Sequence, residues 1–399
     1  MNFKTEREEI ETGVIGTYKK ELPSVHFLED PEQFAKRQTA RENHFRFALN
    51  FPPEMFAGRT LLDIGGGTGD NTIFYNIWGA DCTIVDANQL ALQRAEHVFE
   101  TLGNAENRVS FTHSSVFDYS SDELFDIVVS EGVCHHTADK KRCFEILASR
   151  LKRGGYCYFG IGNQSGSFQR QLQRAVLRRF AGDEAEIEQL AERLFPEHLE
   201  RATTIGQRSK RAIIYDTYVN PKHDNVHVAD ILEWFEKAGL TLYSSYPHIY
   251  PPFVCDGPMR SSLLEIAKSP LIGVIPELFW MIHNVDDLLN LEQYLSISEE
   301  IGTEVHAIGE FLNDVAPNQH IDFETGLQLC ERANSVLSGR NLLGEVFKFA
   351  EGFFAEVAEV FAGLEERNFE RVEQAVSGAR YLFHGPNGVA MTYFVGYKS

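Results

Sequence analysis

The stretch LLDIGGGTGD, residues 61–70, decides the fold that this 399-residue sequence predicts. Its apolar start is typical of a buried strand, and the glycines that follow are typical of a sharp turn into a helix. A dinucleotide-binding fingerprint places glycines at i, i+2 and i+5, but the fifth places after Gly65 and Gly67 are Asp70 and Thr72. The pattern is instead acid-x-Gly-x-Gly-x-Gly, with Asp63 near the end of the strand. We therefore predict a strand–turn–helix unit whose ligand is not a dinucleotide.

Short apolar runs alternate with helical-period segments from residue 59 to residue 162. This alternation predicts a parallel sheet that is covered by helices on both faces. One helix follows the second strand, with Asn88 as its N-cap and Gly103 as its stop, and another ends at Gly154 and Gly155. We predict the strands at five apolar runs, Thr60–Ile64, Cys82–Val85, Val109–Thr112, Phe125–Ser130 and Tyr156–Ile161.

A further helix and strand, Val226–Ala238 and Leu240–Tyr246, complete a predicted core of residues 51–250. Residues 1–50 predict an N-terminal helical segment before it, and residues 164–212 predict a helical insertion within it. The core is therefore of the α/β class, with a doubly wound and mostly parallel sheet.

Residues 251–385 predict a helical subdomain of about four to six helices, inserted before the last strand. The last apolar run, Val389–Val395, follows the turn signal Pro386-Asn387-Gly388. Because the run is rich in aromatic and β-branched residues, we expect residues 386–399 to form a strand that returns to the core sheet, antiparallel beside Leu240–Tyr246. The Phe-rich stripe from Val346 to Phe361 is either helical core or an acyl-binding tunnel.

Two strand-end carboxylates indicate the class of ligand. Asp63 suits a ligand with a positive ammonium or sulfonium group better than a pyrophosphate, whose charge it would repel. Asp86 ends the second strand 17 residues after Gly69, where a carboxylate can accept both hydroxyls of a ribose. Together the two acids predict a nucleoside that is joined to a cationic amino acid.

With these features the chain resembles the class I S-adenosylmethionine-dependent methyltransferases, which have a Rossmann-like fold. The resemblance covers about residues 45–250 and rests on LLDIGGGTGDNT, TIVDAN, FDIVVSEGVCHHT and LKRGGYCYFGIGN. The chain is most similar to a bacterial subgroup in which a GVxHHT segment precedes a YDxYVxP segment, here residues 215–221. The resemblance implies that S-adenosylmethionine is the cofactor and that it is held by Asp63, Gly65, Gly66, Gly67, Gly69, Asp86, Ala87, Ser115, Val116 and Glu131.

Within this resemblance, the glycines and Asp63 line the methionine end, Asp86 holds the ribose and Ala87 packs on the adenine. The family often has a Gly-Asp pair near the end of the third strand, where the acid contacts the adenine amine. This sequence has Ser114-Ser115 there instead. The contact then falls either to Ser115 or to a backbone amide.

Methyl transfer from a sulfonium is an in-line displacement, so the protein mainly aligns the reactants and excludes water. A base is needed only where the nucleophile arrives protonated. The candidates for catalysis are His135 and His136, after the fourth strand, and Tyr218 in the second motif. Each histidine could instead cap a helix or bind backbone, and Glu131 could contact either cofactor or substrate.

Two further patterns have a structural and a functional interpretation. His223 and His227 have the spacing of a helical metal pair, but Pro221 places His223 before the helix, so we predict no metal site. Three arginines at a spacing of four form either a solvated, salt-bridged helix face or a lid that attracts an anionic acceptor, namely Arg170, Arg174 and Arg178.

Composition limits the partners. The formal charge is 37 − 58 = −21, which argues against broad contact with nucleic acid or an anionic membrane. The sequence lacks a signal-peptide pattern and an apolar run of about 18 residues, and its six cysteines include no CxxC pair, which predicts a cytoplasmic protein without a disulfide or zinc framework.

We therefore predict a methyltransferase that acts on a small molecule or metabolite, at oxygen, nitrogen or carbon. One alternative is a protein or RNA methyltransferase whose helical region docks the macromolecule. Another is a non-catalytic cofactor-binding scaffold that forms a homodimer through that region. These alternatives predict different outcomes when methyl-labelled cofactor is incubated with cell extract.

Overall fold

The computed structural model describes residues 3–22, 30–206, 208–249, 274–283, 291–317, 319–338, 342, 345–384 and 388–399. Seven strands in these ranges form one mixed sheet in the order β3-β2-β1-β4-β5-β7-β6. Strands β1 to β5 pair in parallel, and β7 is antiparallel to both β5 and β6. The predicted fold class is confirmed. The strands are β1 Thr60–Ile64, β2 Asp81–Asp86, β3 Val109–His113, β4 Phe125–Glu131, β5 Leu151–Gly162, β6 Leu240–Tyr246 and β7 Met391–Lys398.

Two layers of side chains bury the faces of this sheet. On one face, Phe144 and Phe235 stack with ring centroids 5.2 Å apart and bury the apolar side chains of β4 and β5. On the other face, Phe45, Phe56 and Tyr75 form an aromatic cluster against β1 and β4. Truncation of one such buried phenylalanine costs about 3–5 kcal/mol. The helices that flank the sheet are α3 Thr72–Ile77, α4 Gln89–Leu102, α5 Lys140–Ser149 and α10 Val228–Lys237, while Phe45 and Phe56 lie in the short helical turns His44–Ala48 and Pro53–Phe56.

Local signals set the helix ends around the sheet. The side chain of Asn88 accepts a hydrogen bond from the backbone N–H of Leu90, and α4 stops at Gly103, as predicted. The predicted stop at Gly154 and Gly155 is wrong, because α5 ends at Ser149 and both glycines lie inside β5. The strand starts early because residue 151 already pairs with β4, and a Cβ atom on Gly155 would lie 2.7 Å from a backbone oxygen of β4.

The segments outside the core are helical. The N-terminal helices are α1 Phe3–Lys20 and α2 Pro31–Asn43, and the insertion contains α6 Phe168–Phe180, α7 Glu184–Leu194, α8 Pro196–Gly206 and α9 Lys210–Ile214. The described part of residues 251–385 contains the helices Val274–Ile282, Leu291–Phe311, Phe323–Ser338, Glu345–Glu365 and Phe369–Gly378. None of the described helices is both long and apolar enough to cross a membrane.

The insertion and the C-terminal helices share one apolar core. Phe168 of α6 lies 6.3 Å from the ring of Phe353, and most of the Phe-rich stripe is buried in the same cluster. The stripe is therefore helical core. Strand β7 follows these helices and pairs with β6 from Tyr246–Tyr393 to Leu240–Lys398, so the predicted return of the terminal strand is confirmed.

Two sequence features lie partly outside the described residues. Pro386 and Asn387 of the predicted turn are outside them, whereas Gly388 has a φ of +84°. Cys255 is also outside them, and the five cysteines within the described ranges are free and buried.

Candidate active site

A cavity of about 580 Å³ lies at the carboxyl ends of β1, β2, β4 and β5. This is the edge where open α/β sheets bind ligands, and roughly 300–1,000 Å³ is the usual volume of a small-molecule site. Helix α1 covers the cavity with Val14, Ile15 and Tyr18, while α6 and the segment before α10 line the far end. One continuous cavity therefore has a wall formed by the glycine loop and a second wall formed by inserted elements.

The glycine loop leaves its backbone open to the cavity. Gly65 has a φ of +75°, and a Cβ atom there would lie 2.3 Å from Cγ2 of Val133. Gly67 has a φ of +56°, and its neighbours are no closer than 4.0 Å, so a Cβ atom would occupy open cavity. Gly66 also lines the cavity, whereas Gly69 packs on α4 through Ala95. The loop is a cradle that only glycine can form.

Asp86 is fixed by the loop that it faces. Its Oδ2 accepts the N–H of Gly67 at 2.9 Å, and its Oδ1 accepts the N–H of Asn88 at 2.7 Å. Burial raises the pKa of Asp86, while these two hydrogen bonds favour its ionised form. Each carboxylate oxygen keeps a lone pair, so the group can still accept two hydroxyls. Ala87 and Val116 line the cavity beside it, which suits an adenosine with its ring between small apolar groups.

Asp63 is not among the residues that line the cavity, although we predicted contact with the cofactor. The residue is 4% exposed, and its carboxyl group accepts a hydrogen bond from the hydroxyl of Thr72 at 2.5 Å. Burial, with the charge of Glu131 in the same direction, raises the pKa of Asp63 to about 7. The structure therefore places Asp63 beneath the loop, where it holds the start of α3.

Ser115 does line the cavity, and its hydroxyl donates to Glu11 of α1 at 2.5 Å. The same hydroxyl accepts the N–H of Phe117 at 3.2 Å. Glu11 also lines the cavity, so a carboxylate stands close to the position where the sequence motif has serine instead of an acid. The sequence did not predict a role for Glu11, because Glu11 lies about 100 residues before Ser115 in the chain.

Glu131 lies in a buried network beneath the middle of the cavity. It forms an ion pair with Arg41 of α2 and accepts hydroxyls from Tyr75 at 2.6 Å and Tyr158 at 3.2 Å. Burial by itself would raise the pKa of Glu131, but the Arg41 guanidinium holds that pKa below its ordinary value. Glu131 is thus an anion that lines the cavity, and α2 is anchored to the sheet through it.

Three imidazoles meet at the far end of the cavity. The rings of His135 and His136 have centroids 4.1 Å apart, and the ring of His223 lies 4.4 Å from that of His136. Burial is the largest cause that lowers the pKa of each ring, and the neighbouring rings lower the pKa of His135 and His223 further. All three side chains are therefore neutral at pH 7.

Backbone contacts fix the tautomers of these rings. Nδ1 of His136 lies 2.7 Å from the carbonyl of Lys222, and Nε2 of His223 lies 2.8 Å from the carbonyl of Asp216. A carbonyl can only accept, so these nitrogens carry the protons and leave lone pairs on the opposite nitrogens, Nε2 of His136 and Nδ1 of His223. Nδ1 of His135 accepts the N–H of Gly162 at 3.3 Å.

Among the residues that the structure describes, these three histidines have the geometry to hold a metal ion, because one ligand nitrogen from each lies within 4.8 Å of the others. His223 and His227, the pair with the helical spacing at which we predicted no metal site, lie apart. His227 caps α10, accepting the N–H of Ala229 at 3.3 Å, and stands 3.5 Å from Glu277. His223 therefore precedes α10, as Pro221 indicated, and the two histidines do not share a helix.

The second motif contributes Asp216, but not Tyr218, to the cavity. Asp216 accepts the hydroxyl of Tyr18 at 2.8 Å and pairs with Arg208 at 3.0 Å. Burial alone would raise the pKa of Asp216, yet the Arg208 charge brings it down to about 2. The hydroxyl of Tyr218 is buried in the helical core and donates to Gln173 at 2.8 Å, so the geometry does not support the predicted catalytic contact of Tyr218.

The three arginines of α6 occupy different surroundings. Arg174 is 1% exposed and donates to the carbonyl of Pro221, and Arg178 donates to the carbonyls of Tyr218 and Asn220. The prediction of a solvated helix face is therefore wrong for Arg174 and Arg178. Arg170 alone of the three lines the cavity.

Comparisons with known proteins identify the family of this chain. Residues 34–245, more than half of the chain, match the model of a family described as a methyltransferase domain. An uncharacterised protein of Synechococcus sp. is 27% identical over 216 residues, which are 49% of this chain and 50% of that protein. A protein of Oryza sativa subsp. indica, named "Probable protein arginine N-methyltransferase 6.2", is 30% identical over 119 residues, 29% of this chain and 30% of its own length.

Among solved structures, the N-methyltransferase NodS of Bradyrhizobium japonicum, in complex with S-adenosyl-L-homocysteine, is similar over 40% of this chain and 74% of its own. The two share 18% identity with a TM-score of 0.29. The chain spans about half the length or less of the curated relatives named above.

Proposed function

Because the chain belongs to the methyltransferase domain family, we propose that it transfers a methyl group from S-adenosylmethionine to a small molecule inside the cavity. The observation that carries this proposal is the two-walled cavity of about 580 Å³, with the glycine loop and Asp86 at one end and three neutral imidazoles at the other. A space of this volume, covered by α1, suits a cofactor and a small acceptor together.

The cofactor wall fits an adenosyl group on structural grounds. The open backbone at Gly67 leaves room for the methionine part, the two free lone pairs of Asp86 suit the ribose hydroxyls, and Ala87 suits the adenine ring. Glu11, held by Ser115, is placed to accept the adenine amine that the usual motif acid would bind. Bound there, the cofactor supplies a methyl group that is already activated by its sulfonium.

The acceptor wall supplies proton acceptors. Nε2 of His136 and Nδ1 of His223 each have a lone pair, and burial keeps both rings neutral. Either nitrogen can accept a proton from a hydroxyl group as its oxygen attacks, or from an ammonium group before the resulting amine attacks. Because a metal ion shared by all three rings would have to displace the Gly162 N–H from His135, we assign the rings to proton transfer.

The test is incubation of the protein with methyl-labelled S-adenosylmethionine and a host metabolite extract, followed by separation of small molecules from macromolecules. We expect label in a small molecule. His136→Gln should reduce the rate by about 10²–10⁴-fold if a base is needed, with unchanged S-adenosylhomocysteine affinity. The exposed His97→Gln is the matched control and should behave as wild type.

Other outcomes would change the assignment. Label in RNA, or in protein as the name of the rice relative has it, would replace the small-molecule acceptor by a macromolecule. Tight S-adenosylhomocysteine binding without transfer to any fraction of the extract would favour a non-catalytic scaffold. Full activity of His136→Gln and His223→Gln would remove the proton-acceptor role.

A further inference from the structure

Arg170 is a partly buried cation that faces the acceptor end of the cavity. It lies on α6, one turn before Arg174, and belongs to the cavity lining with its neighbour Gln171. Its Nε atom is buried without a hydrogen-bond partner, and no hydrogen bond or ion pair to its guanidinium forms among the described residues. Burial lowers the pKa of Arg170, while the nearby Asp216 opposes that shift.

The other arginines at or below this cavity have partners. Arg208 pairs with Asp216 at 3.0 Å, Arg41 pairs with Glu131, and Arg37 donates to Asn71 at 3.2 Å. Arg174 and Arg178 donate to backbone carbonyls. Among the described residues, Arg170 is therefore the cavity-lining arginine whose guanidinium has no hydrogen-bond or ion-pair partner in the protein.

An unpaired charge that is partly removed from water is costly, since the lost hydration is offset only by a counter-ion and hydrogen bonds, and the Nε atom of Arg170 is buried without either. Asp216 does not provide this pairing, because its oxygens accept from Tyr18 and Arg208. A planar guanidinium presents parallel donors that match a carboxylate or a phosphate. The chain as a whole carries a charge of −21, so this local cation is not part of a general basic surface.

We propose that Arg170 binds a carboxylate or phosphate group of the methyl acceptor, so that the acceptor is an anion at neutral pH. The subsite lies on the same wall as His136 and His223 and thus orients the rest of the acceptor toward the lone pairs of those rings. This inference rests on the proposed function for its identification of the occupant as the acceptor.

A binding experiment tests the subsite without knowledge of the acceptor. Wild type saturated with S-adenosylhomocysteine is titrated by calorimetry with inorganic phosphate and, separately, with acetate, in a buffer of constant ionic strength. We expect at least one anion to bind, with affinity at least tenfold weaker in Arg170→Gln and partly restored in Arg170→Lys. Arg142→Gln, whose side chain is 59% exposed on α5, is the matched control and should bind as wild type.

The outcomes separate clearly. Equal anion affinity in wild type and Arg170→Gln, or absence of binding of both anions to wild type, would overturn the subsite. Unchanged S-adenosylhomocysteine affinity in Arg170→Gln shows that the variant is folded. If it does not fold, Arg170→Lys carries the test: anion binding that is weaker than wild type in the folded variant supports the guanidinium contact, and wild-type anion affinity would overturn it.

A second experiment uses the labelled product of the extract incubation. On an anion-exchange column at pH 7 the labelled molecule should be retained, and release from the column after phosphatase treatment would identify a phosphate rather than a carboxylate. A labelled product that is neutral or cationic would overturn the anionic acceptor and leave methyl transfer itself intact. Absence of any labelled product would count against the proposed function, while the anion titration would still decide the subsite.

Discussion

Alanine at Gly65 should cost more stability than alanine at Gly67, whereas alanine at Gly67 should weaken cofactor binding. Both glycines have a positive φ, so each substitution should cost about 1–2 kcal/mol of backbone strain. Gly65→Ala adds overpacking, because its Cβ atom would lie 2.3 Å and 2.6 Å from the two methyl groups of Val133 and 3.0 Å from Cβ of Val133. A change of rotamer moves the methyl groups of Val133 but not its Cβ atom, so the clash cannot be fully relieved. We therefore expect a further loss of about 1–3 kcal/mol in the free energy of unfolding.

Gly67→Ala meets no atom closer than 4.0 Å, so its loss of stability should be limited to the backbone strain. Its methyl group, however, would occupy the space between Gly67 and the ligand, and we expect S-adenosylhomocysteine affinity to fall by more than tenfold. Urea unfolding monitored by circular dichroism gives the two stabilities, and calorimetry gives the affinity. Equal losses of stability in the two variants, or wild-type affinity in Gly67→Ala, would refute this account of the loop.

The double substitution Gly65→Ala with Val133→Ala is the control for the overpacking. Removal of both methyl groups of Val133 should recover most of the additional 1–3 kcal/mol, while the cost of the positive φ should remain. A double variant as unstable as Gly65→Ala would show that the loss arises elsewhere.

Three further predictions concern the carboxylates around the cavity. Asp86→Ala should weaken S-adenosylhomocysteine binding by about 10–100-fold in calorimetry, because hydrogen bonds to a charged group contribute about 1.5–3 kcal/mol each; unchanged affinity would remove the ribose assignment. Glu11→Gln should weaken the same binding several-fold without loss of thermal stability, whereas the nearby exposed Glu8→Gln should not, and equal affinities would return the adenine contact to Ser115 or to backbone. Burial raises the pKa of folded Asp63 to about 7 from 3.8, so the stability tied to its proton is complete below about pH 4 and is lost as the pH rises through 7. Relative to Asp63→Asn, wild type should therefore lose about 1.4 kcal/mol between pH 6 and pH 8.5 in urea unfolding, and a parallel pH dependence of the two proteins would contradict the raised pKa.

The sheet was predictable because its central strands are buried on both faces and give continuous apolar runs. Thr60–Ile64 and Leu240–Tyr246 have the predicted bounds, and the N-cap at Asn88 identified the start of α4. The start of β5 was not predictable, because Gly154 and Gly155 resemble a helix stop and only pairing with β4 shows that they belong to a strand.

The acceptor wall was harder to predict, since residue type and spacing do not show which neighbour turns toward the cavity. Asp216 and Tyr218 lie two positions apart in one motif, but only Asp216 faces the cavity, while Tyr218 packs in the helical core. Similarly, their spacing of four predicted one shared helix face for Arg170, Arg174 and Arg178, yet the three side chains have different surroundings. Tyr18 carried no motif at all, and its contact with Asp216 spans 198 positions of sequence.

The inserted helices have a structural role, because they position the backbone of the acceptor wall. Arg174 and Arg178 of α6 donate to the carbonyls of Pro221 and Asn220, and thus fix the backbone that presents Asp216 and His223. From the other side, Asp314 accepts the N–H of His223 at 3.1 Å and donates its own N–H to the carbonyl of the same residue.

Asp314 follows the helix Leu291–Phe311, whose apolar face is buried in the same core as α6. The two inserted regions therefore share one core, and they contact the His223 segment from opposite sides. Because the glycine loop belongs to the sheet and its flanking helices α3 and α4, we infer that this core determines the cofactor and that the inserted helices determine the acceptor. Asp314→Ala should accordingly lower the rate of methyl transfer while S-adenosylhomocysteine affinity stays unchanged, and a parallel loss of both would place the effect on the whole fold instead.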